Sequence, residues 1–158
     1  MAKFFMTAAV AIALSGAALT ASTAAETATV NVALMDMSAM ASGTMGPGFG
    51  MMGMMSIRAD KTSAKAGLVT FDVTNWSRSV VHEMLVIAVD GSDAPLPYDF
   101  SKQIIPEDQV KVLGETNGLQ ANASKTIELT LAQGNYFLLC NVPGHYAAGM
   151  VLAFTVAP

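Results

Sequence analysis

The eleven residues from Cys140 to Met150, Cys-Asn-Val-Pro-Gly-His-Tyr-Ala-Ala-Gly-Met, constrain this chain more than any other stretch. They contain the single cysteine, one of two histidines, and the last methionine. Four residues separate Cys140 from His145, and four more separate His145 from Met150. One short loop therefore offers a thiol, an imidazole and a thioether between two apolar runs. Thiolate and thioether are soft ligands that suit copper, and two histidines, a cysteine and a weak axial methionine make up the blue-copper donor set. The loop lacks only a second histidine, and the other one in the chain is His82. The residues point to one mononuclear type 1 copper site with His82, Cys140, His145 and Met150 as ligands.

A site of this kind needs a rigid frame, and the surrounding pattern supplies strands. Thr27–Leu34 alternates, as do Leu68–Val73, Thr126–Leu131 and Tyr136–Cys140. Met54–Ala59, Val110–Leu113 and Val151–Val156 are further strand candidates, and Val81–Val89 is apolar enough to be a strand buried on much of both faces. Asp60–Gly67 is expected as a polar turn. Residues 92–109, with Pro95, Pro97 and Pro106, are expected as a long surface connection with a short helical turn near Phe100–Gln103. Short strands punctuated by Gly, Asn and Pro predict an antiparallel β-sandwich. Within Tyr136–Cys140, period-two alternation puts Tyr136, Leu138 and Cys140 on one face and Phe137 and Leu139 on the other. Cys140 then emerges at the strand end, and Pro143-Gly144 turns the chain so that His145 comes back towards the sulfur.

The N-terminus carries Lys3, an apolar run from Met6 to Leu19 and a small-residue exit to Ala25. That is the pattern of a secretory signal peptide over residues 1–25, too short and Ala-rich for a comfortable membrane span. Residues 26–158 then form one domain. Without Lys3, seven basic residues face twelve acidic ones, a net charge of −5. This balance argues against nucleic acid and anionic membrane surfaces as partners. An exported chain with one cysteine has no internal disulfide. Its thiol escapes oxidation only by burial or metal ligation.

The segments Val81-His82-Glu83-Met84-Leu85-Val86 and Gly134-Asn135-Tyr136 through Met150 resemble the two ligand regions of the cupredoxins. The spacing of Cys140, His145 and Met150 is similar to the rusticyanin and sulfocyanin branch. Plastocyanin has a shorter Cys-to-His interval, and azurin a shorter His-to-Met interval. The resemblance runs from about Val30 to the C-terminus. It implies a Greek-key β-sandwich, one type 1 copper ion cycling between Cu(I) and Cu(II), and single-electron transfer in a periplasmic or otherwise exported compartment. One departure concerns the residue after the first histidine, which in many cupredoxins is Asn or Ser and ties the ligand loops together. Here it is Glu83, which accepts only when ionised. Either the tie differs or Glu83 simply faces solvent.

Other chemistries fit less well. Zinc does not usually take a thioether. A thiol nucleophile with a histidine base would leave Met150 idle and lacks an orienting third residue. Multicopper oxidase or nitrite reductase chemistry needs more histidines than the chain has, so catalysis by this chain alone is not expected. Two functions remain. The first is an electron carrier, expected as a monomer, that docks a cytochrome or oxidase partner through an apolar surface around His145. The second is a protein for copper tolerance or delivery with a copper-handling partner. The second draws on residues 35–55, a Gly-rich stretch expected to be a loop, which carries Met35, Met37, Met40, Met45, Met51, Met52, Met54 and Met55. These thioethers are candidates for auxiliary Cu(I) binding, with Asp36 as a possible hard ligand, or they are adaptable apolar filler.

Overall fold

Alternating apolar side chains can be buried only if two sheets close over them, and the chain adopts that solution. The computed structural model describes residues 27–36, 55–91, 93 and 95–158. The expected signal peptide and Met37, Met40, Met45, Met51, Met52 and Met54 lie outside them. The strands are β1 (Ala28–Asp36), β2 (Met55–Ala59), β3 (Ser63–Lys65), β4 (Gly67–Asn75), β5 (Leu85–Val89), β6 (Lys111–Glu115), β7 (Ser124–Leu131), β8 (Gly134–Leu139) and β9 (Val151–Ala157). They form a four-stranded sheet ordered β2-β1-β4-β7 and a five-stranded sheet ordered β3-β9-β8-β5-β6. The expected all-β sandwich is observed, with one refinement. β1 pairs β4 in parallel and β3 pairs β9 in parallel, while the other ladders are antiparallel. A parallel neighbour requires a long crossover. The chain provides one through β2 and β3 before β4, and another that spans most of the domain before β9.

Between the sheets lies one core, built from Val30, Val32 and Leu34 of β1, Val69, Phe71 and Val73 of β4, Tyr136 and Leu138 of β8, and Phe154 and Val156 of β9. Phe71 and Phe154 meet edge to face with ring centroids 5.5 Å apart. Cys140 and Met150 belong to this same cluster. A second cluster covers the outer face of the five-stranded sheet, where Leu85, Ile87, Phe137 and Leu139 pack against Ile105, Leu96 and Tyr98. The predicted alternation along β8 is thus observed on both faces. The long connection is more than a surface strap, because its Ile105 is fully buried. It turns at residues 100–103, where the helical turn is expected, and adds a 3-10 turn at Glu107–Gln109.

Two local departures from the expected strands bear on the site. β3 occupies part of the expected polar turn and pairs with the end of β9. The run expected as a strand from Val81 enters the regular ladder only at Leu85. Upstream of that point, His82 makes an isolated bridge with Leu119 (His82 N–H to Leu119 O 3.2 Å, Leu119 N–H to His82 O 2.7 Å). Met84 N–H donates to Thr116 Oγ1 at 2.8 Å, and Thr116 N–H donates to Met84 O at 3.0 Å. Bonding to residues 116–119 takes this segment out of the ladder and leaves His82 at the end of the sandwich.

Phe71 is completely buried, whereas Phe100 is 85% exposed. Phe71→Ala should cost about 3–5 kcal/mol of unfolding free energy. Phe100→Ala should stay within about 0.5 kcal/mol of the parent. Urea denaturation of the two variants checks the contrast, and equal losses would contradict the assigned core.

Candidate metal centre

Cys140 follows the last residue of β8 and keeps the inward side of the alternation. Its N–H donates to Met150 O at 3.0 Å, so both ends of the eleven-residue loop are fastened together. Within the loop, His145 N–H donates to Val142 O (2.9 Å), Ala148 N–H to Gly144 O (3.0 Å) and Met150 N–H to His145 O (3.1 Å). Gly144 and Gly149 have φ of +83° and +101°, which side-chain-bearing residues avoid. These glycines are what allow the chain to reverse twice in so short a stretch. Asn141 pins the loop to the long connection. Its Oδ1 accepts from Ile105 N–H at 2.7 Å, and its Nδ2 donates to Ile105 O at 2.9 Å and to Glu107 Oε1 at 3.0 Å.

His82 is held from the other side. Asn75, at the end of β4 and fully buried, donates from Nδ2 to Val80 O (2.8 Å) and Leu119 O (2.9 Å). Its Oδ1 accepts from Ser77 N–H at 2.9 Å. Ser77 Oγ accepts from the N–H groups of Ser79 and Val80 and donates to Asp36 Oδ2 at 2.7 Å. The β4–β5 connection is therefore fixed by buried polar side chains before it reaches His82.

The result is a convergence of three donor atoms. His82 Nδ1 lies 3.1 Å from His145 Nδ1, and Cys140 Sγ lies 3.4 Å from His145 Nδ1. All three donors fall within 4.8 Å of one another. Ligands bound at about 2.0–2.3 Å to one ion stand roughly 3–4 Å apart, so the spacing fits a single metal held by two nitrogens and a sulfur. His82 and Cys140 are completely buried, while His145 keeps 8% exposure. Met150 is also fully buried, at the end of the same loop. Of the four residues expected as ligands, the structure brings the donor atoms of His82, Cys140 and His145 together, and Met150 is joined to Cys140 through the backbone.

Burial sets the protonation states. It lowers His82 from 6.5 to about 4, helped by the neighbouring His145 and opposed by the Asp36 carboxylate. His145 is lowered too, again chiefly by burial and against Asp36. Both rings are therefore neutral near pH 7. Burial raises Cys140 to about 11, against N–H groups of Glu83 and Val142 that favour the thiolate. Glu83 N–H approaches Cys140 Sγ to 3.4 Å. The Glu83 carboxyl is raised by burial and by Glu107 and Glu115, with the Asn141 backbone N–H opposing. Glu83 is half-buried, so its side chain does not simply face solvent. The link between the two ligand segments at this residue is its main-chain N–H on Cys140 Sγ and not its side chain.

Several residues that hold the site gave no signal in the sequence. Asn75, Ser77, Thr116 and Asn141 are buried polar groups in turn-like stretches, and their long-range partners leave no local pattern.

The double sheet with this buried cluster at its end is the cupredoxin fold. Among solved structures, reduced auracyanin from Roseiflexus castenholzii matches with a TM-score of 0.53 and 24% identity, covering 85% of this chain and 100% of that one. Rusticyanin from Thiobacillus ferrooxidans matches with a TM-score of 0.58 and 19% identity, covering 84% and 79%. Auracyanin B gives 0.51, 23%, 85% and 91% in the same order. Rusticyanin is described as a copper protein. No protein-family model matches the sequence, and no curated protein does.

The depressed His82 pKa implies a pH-dependent stability in the metal-free protein. Below about pH 6.5 the unfolded chain binds a proton that folded His82 refuses until about pH 4. Stability should therefore fall on acidification through this window, by on the order of 3 kcal/mol from His82. Glu83, raised by burial, acts in the opposite sense, so the difference between parent and His82→Gln is the diagnostic quantity. Urea midpoints from pH 7 to 4 should fall less steeply for His82→Gln. Parallel curves would assign the loss elsewhere.

Proposed function

We propose that this protein is an exported single-electron carrier that holds one type 1 copper ion through His82, Cys140, His145 and Met150. The observation that carries the proposal is the convergence of His82 Nδ1, His145 Nδ1 and Cys140 Sγ at the buried end of a sandwich. A copper ion there would supply a one-electron couple, and two imidazole nitrogens and a thiolate with a weak thioether suit it. The chain's own contribution is preorganisation. Asn75 and Ser77 fix the approach to His82, Asn141 and the Cys140–Met150 bond fix the loop, and burial keeps both imidazoles neutral. Donors held this firmly need little rearrangement between oxidation states. Catalysis is no part of this reading.

His145 is the only one of the three donors with exposure, and Pro143 and Ala147 on its loop are exposed beside it. That edge is the proposed docking surface for a redox protein such as a cytochrome or oxidase. Among the described residues no helix is long and apolar enough to cross a membrane. Periplasmic export rests on the pattern of residues 1–25. The copper-handling alternative draws on residues 35–55. Of its methionines, Met35 is 1% exposed within β1 and Met55 packs against the core. Their burial supports apolar filling as the role of these two.

In the copper-loaded protein, Cys140→Ser should abolish the intense visible thiolate-to-copper band, and persistence of the band would exclude Cys140 as a ligand. Met150→Leu should retain copper and shift the reduction potential; complete loss of copper would show more than weak axial ligation. A protein that binds copper but does not cycle reversibly by voltammetry would overturn the carrier. Gene deletion that lowers copper tolerance and leaves electron flux intact would favour the handler.

Binding should also release protons. Cys140, raised to about 11, is a thiol near neutral pH and must ionise to bind a metal. Calorimetry with Cu(II) in buffers of differing ionisation enthalpy should return close to one proton released per ion at pH 7. A value near zero would contradict thiolate ligation.

A further inference from the structure

His82 offers Nδ1 to the donor cluster, which leaves Nε2 to be accounted for. That atom is fully buried and has no hydrogen-bond partner among the described residues. A buried polar nitrogen without a partner is costly, so whatever faces it matters. The nearest charged group is the Asp36 carboxylate, with Oδ2 4.0 Å away. Asp36 is itself 5% exposed, an unusual place for an acid.

Its position follows from the strand. Val30, Val32 and Leu34 of β1 point into the core, and Asp36 is the next residue in that alternation. It replaces an apolar side chain at the inward position where β1 reaches the site end of the sandwich. Ser77 Oγ donates to the same Oδ2 at 2.7 Å, which fixes that oxygen on the His82 side. Ser77 belongs to the connection that leads to His82, so one carboxylate oxygen engages both the segment and the ring it delivers. Asp36 is therefore a built component of the site.

We propose that Asp36 is the positioning residue of His82: its carboxylate keeps the ring proton on Nε2, turns the Nδ1 lone pair to the donor cluster, and lowers the reduction potential of a metal held there. A metal-bound histidine commonly directs its second nitrogen to a carboxylate, carbonyl or water, which fixes the tautomer and raises the ligand's basicity. At 4.0 Å the contact exceeds a direct hydrogen bond, so the carboxylate acts chiefly through its charge. A buried negative charge favours the more positive oxidation state, and hence a lower potential. This part of the inference rests on the copper reading, whereas the tautomer assignment stands without it.

The test has a metal-free and a metal-loaded arm. In the apo protein, 15N NMR of the imidazoles should find the His82 proton on Nε2. In the copper-loaded protein, Asp36→Asn keeps shape and removes charge. It should raise the midpoint potential and weaken copper binding by about 10–100-fold, with the visible band retained. A wild-type apo protein with the His82 proton on Nδ1 would overturn the proposal. So would a loaded Asp36→Asn variant whose midpoint and affinity match the parent. If Asp36→Asn does not fold, the wild-type tautomer decides. If the wild type binds no copper at all, the copper reading fails, while the apo measurement still judges Asp36.

Discussion

Two neutral imidazole nitrogens and a thiol held within 4.8 Å of each other and away from water are the constraint on which this structure turns. Such an arrangement is unfavourable by itself. Each polar atom gives up hydration, and without a cation the cluster can satisfy only part of its hydrogen-bonding capacity. The lowered histidines and raised cysteine express that cost as protonation. The sandwich must therefore stabilise the site from outside it. The apolar core from Val30 to Val156 provides the bulk of that stability, and Cys140 and Met150 are embedded in the same cluster. Ligand placement and core packing are in this sense one problem.

Directional restraint comes from buried amide and hydroxyl side chains and not from the core. Asn75 spans the β4–β5 connection and Leu119, while Asn141 spans the ligand loop and Ile105. Both use acceptor and donor ends of one amide, so each fixes a segment in position and in rotation. A pair of hydrophobic contacts could not, because such contacts are non-directional. Donor atoms placed to within a few tenths of an ångström need this kind of support, and the two residues stand on either side of the donor cluster.

The sequence made the ligand loop and the sandwich legible for different physical reasons. Period two is a local property, so Tyr136 to Cys140 could be assigned to faces, and both assignments agree with the two core clusters. Cysteine and histidine are scarce in this chain, so Cys140, His82 and His145 stand out by type, and Met150 by its place at the end of the same loop. What stayed hidden depends on pairing at a distance. The hydrophobicity of Val81–Val89 is continuous, yet residues 82–84 bond to residues 116–119 and leave the ladder. β3 is three residues of Ser-Ala-Lys, with a pattern too short to register, and exists because the end of β9 offers it an edge. The parallel pairings likewise have no local signature.

Glu83 illustrates how far a substitution at one site can be absorbed by the backbone. An Asn or Ser at this position could tie the ligand segments by donating a hydrogen bond, which an ionised carboxylate cannot do. The backbone N–H of Glu83 still reaches Cys140 Sγ, since that contact does not depend on the side chain. The two ligand segments are thus connected through the main chain, while the Glu83 carboxyl lies close enough to the cysteine to disfavour its thiolate. The sulfur's own N–H donors, from Glu83 and Val142, oppose that effect. The electronic environment of this cysteine is therefore set by a balance between a side-chain charge and backbone dipoles, in which only the charge can be removed by substitution.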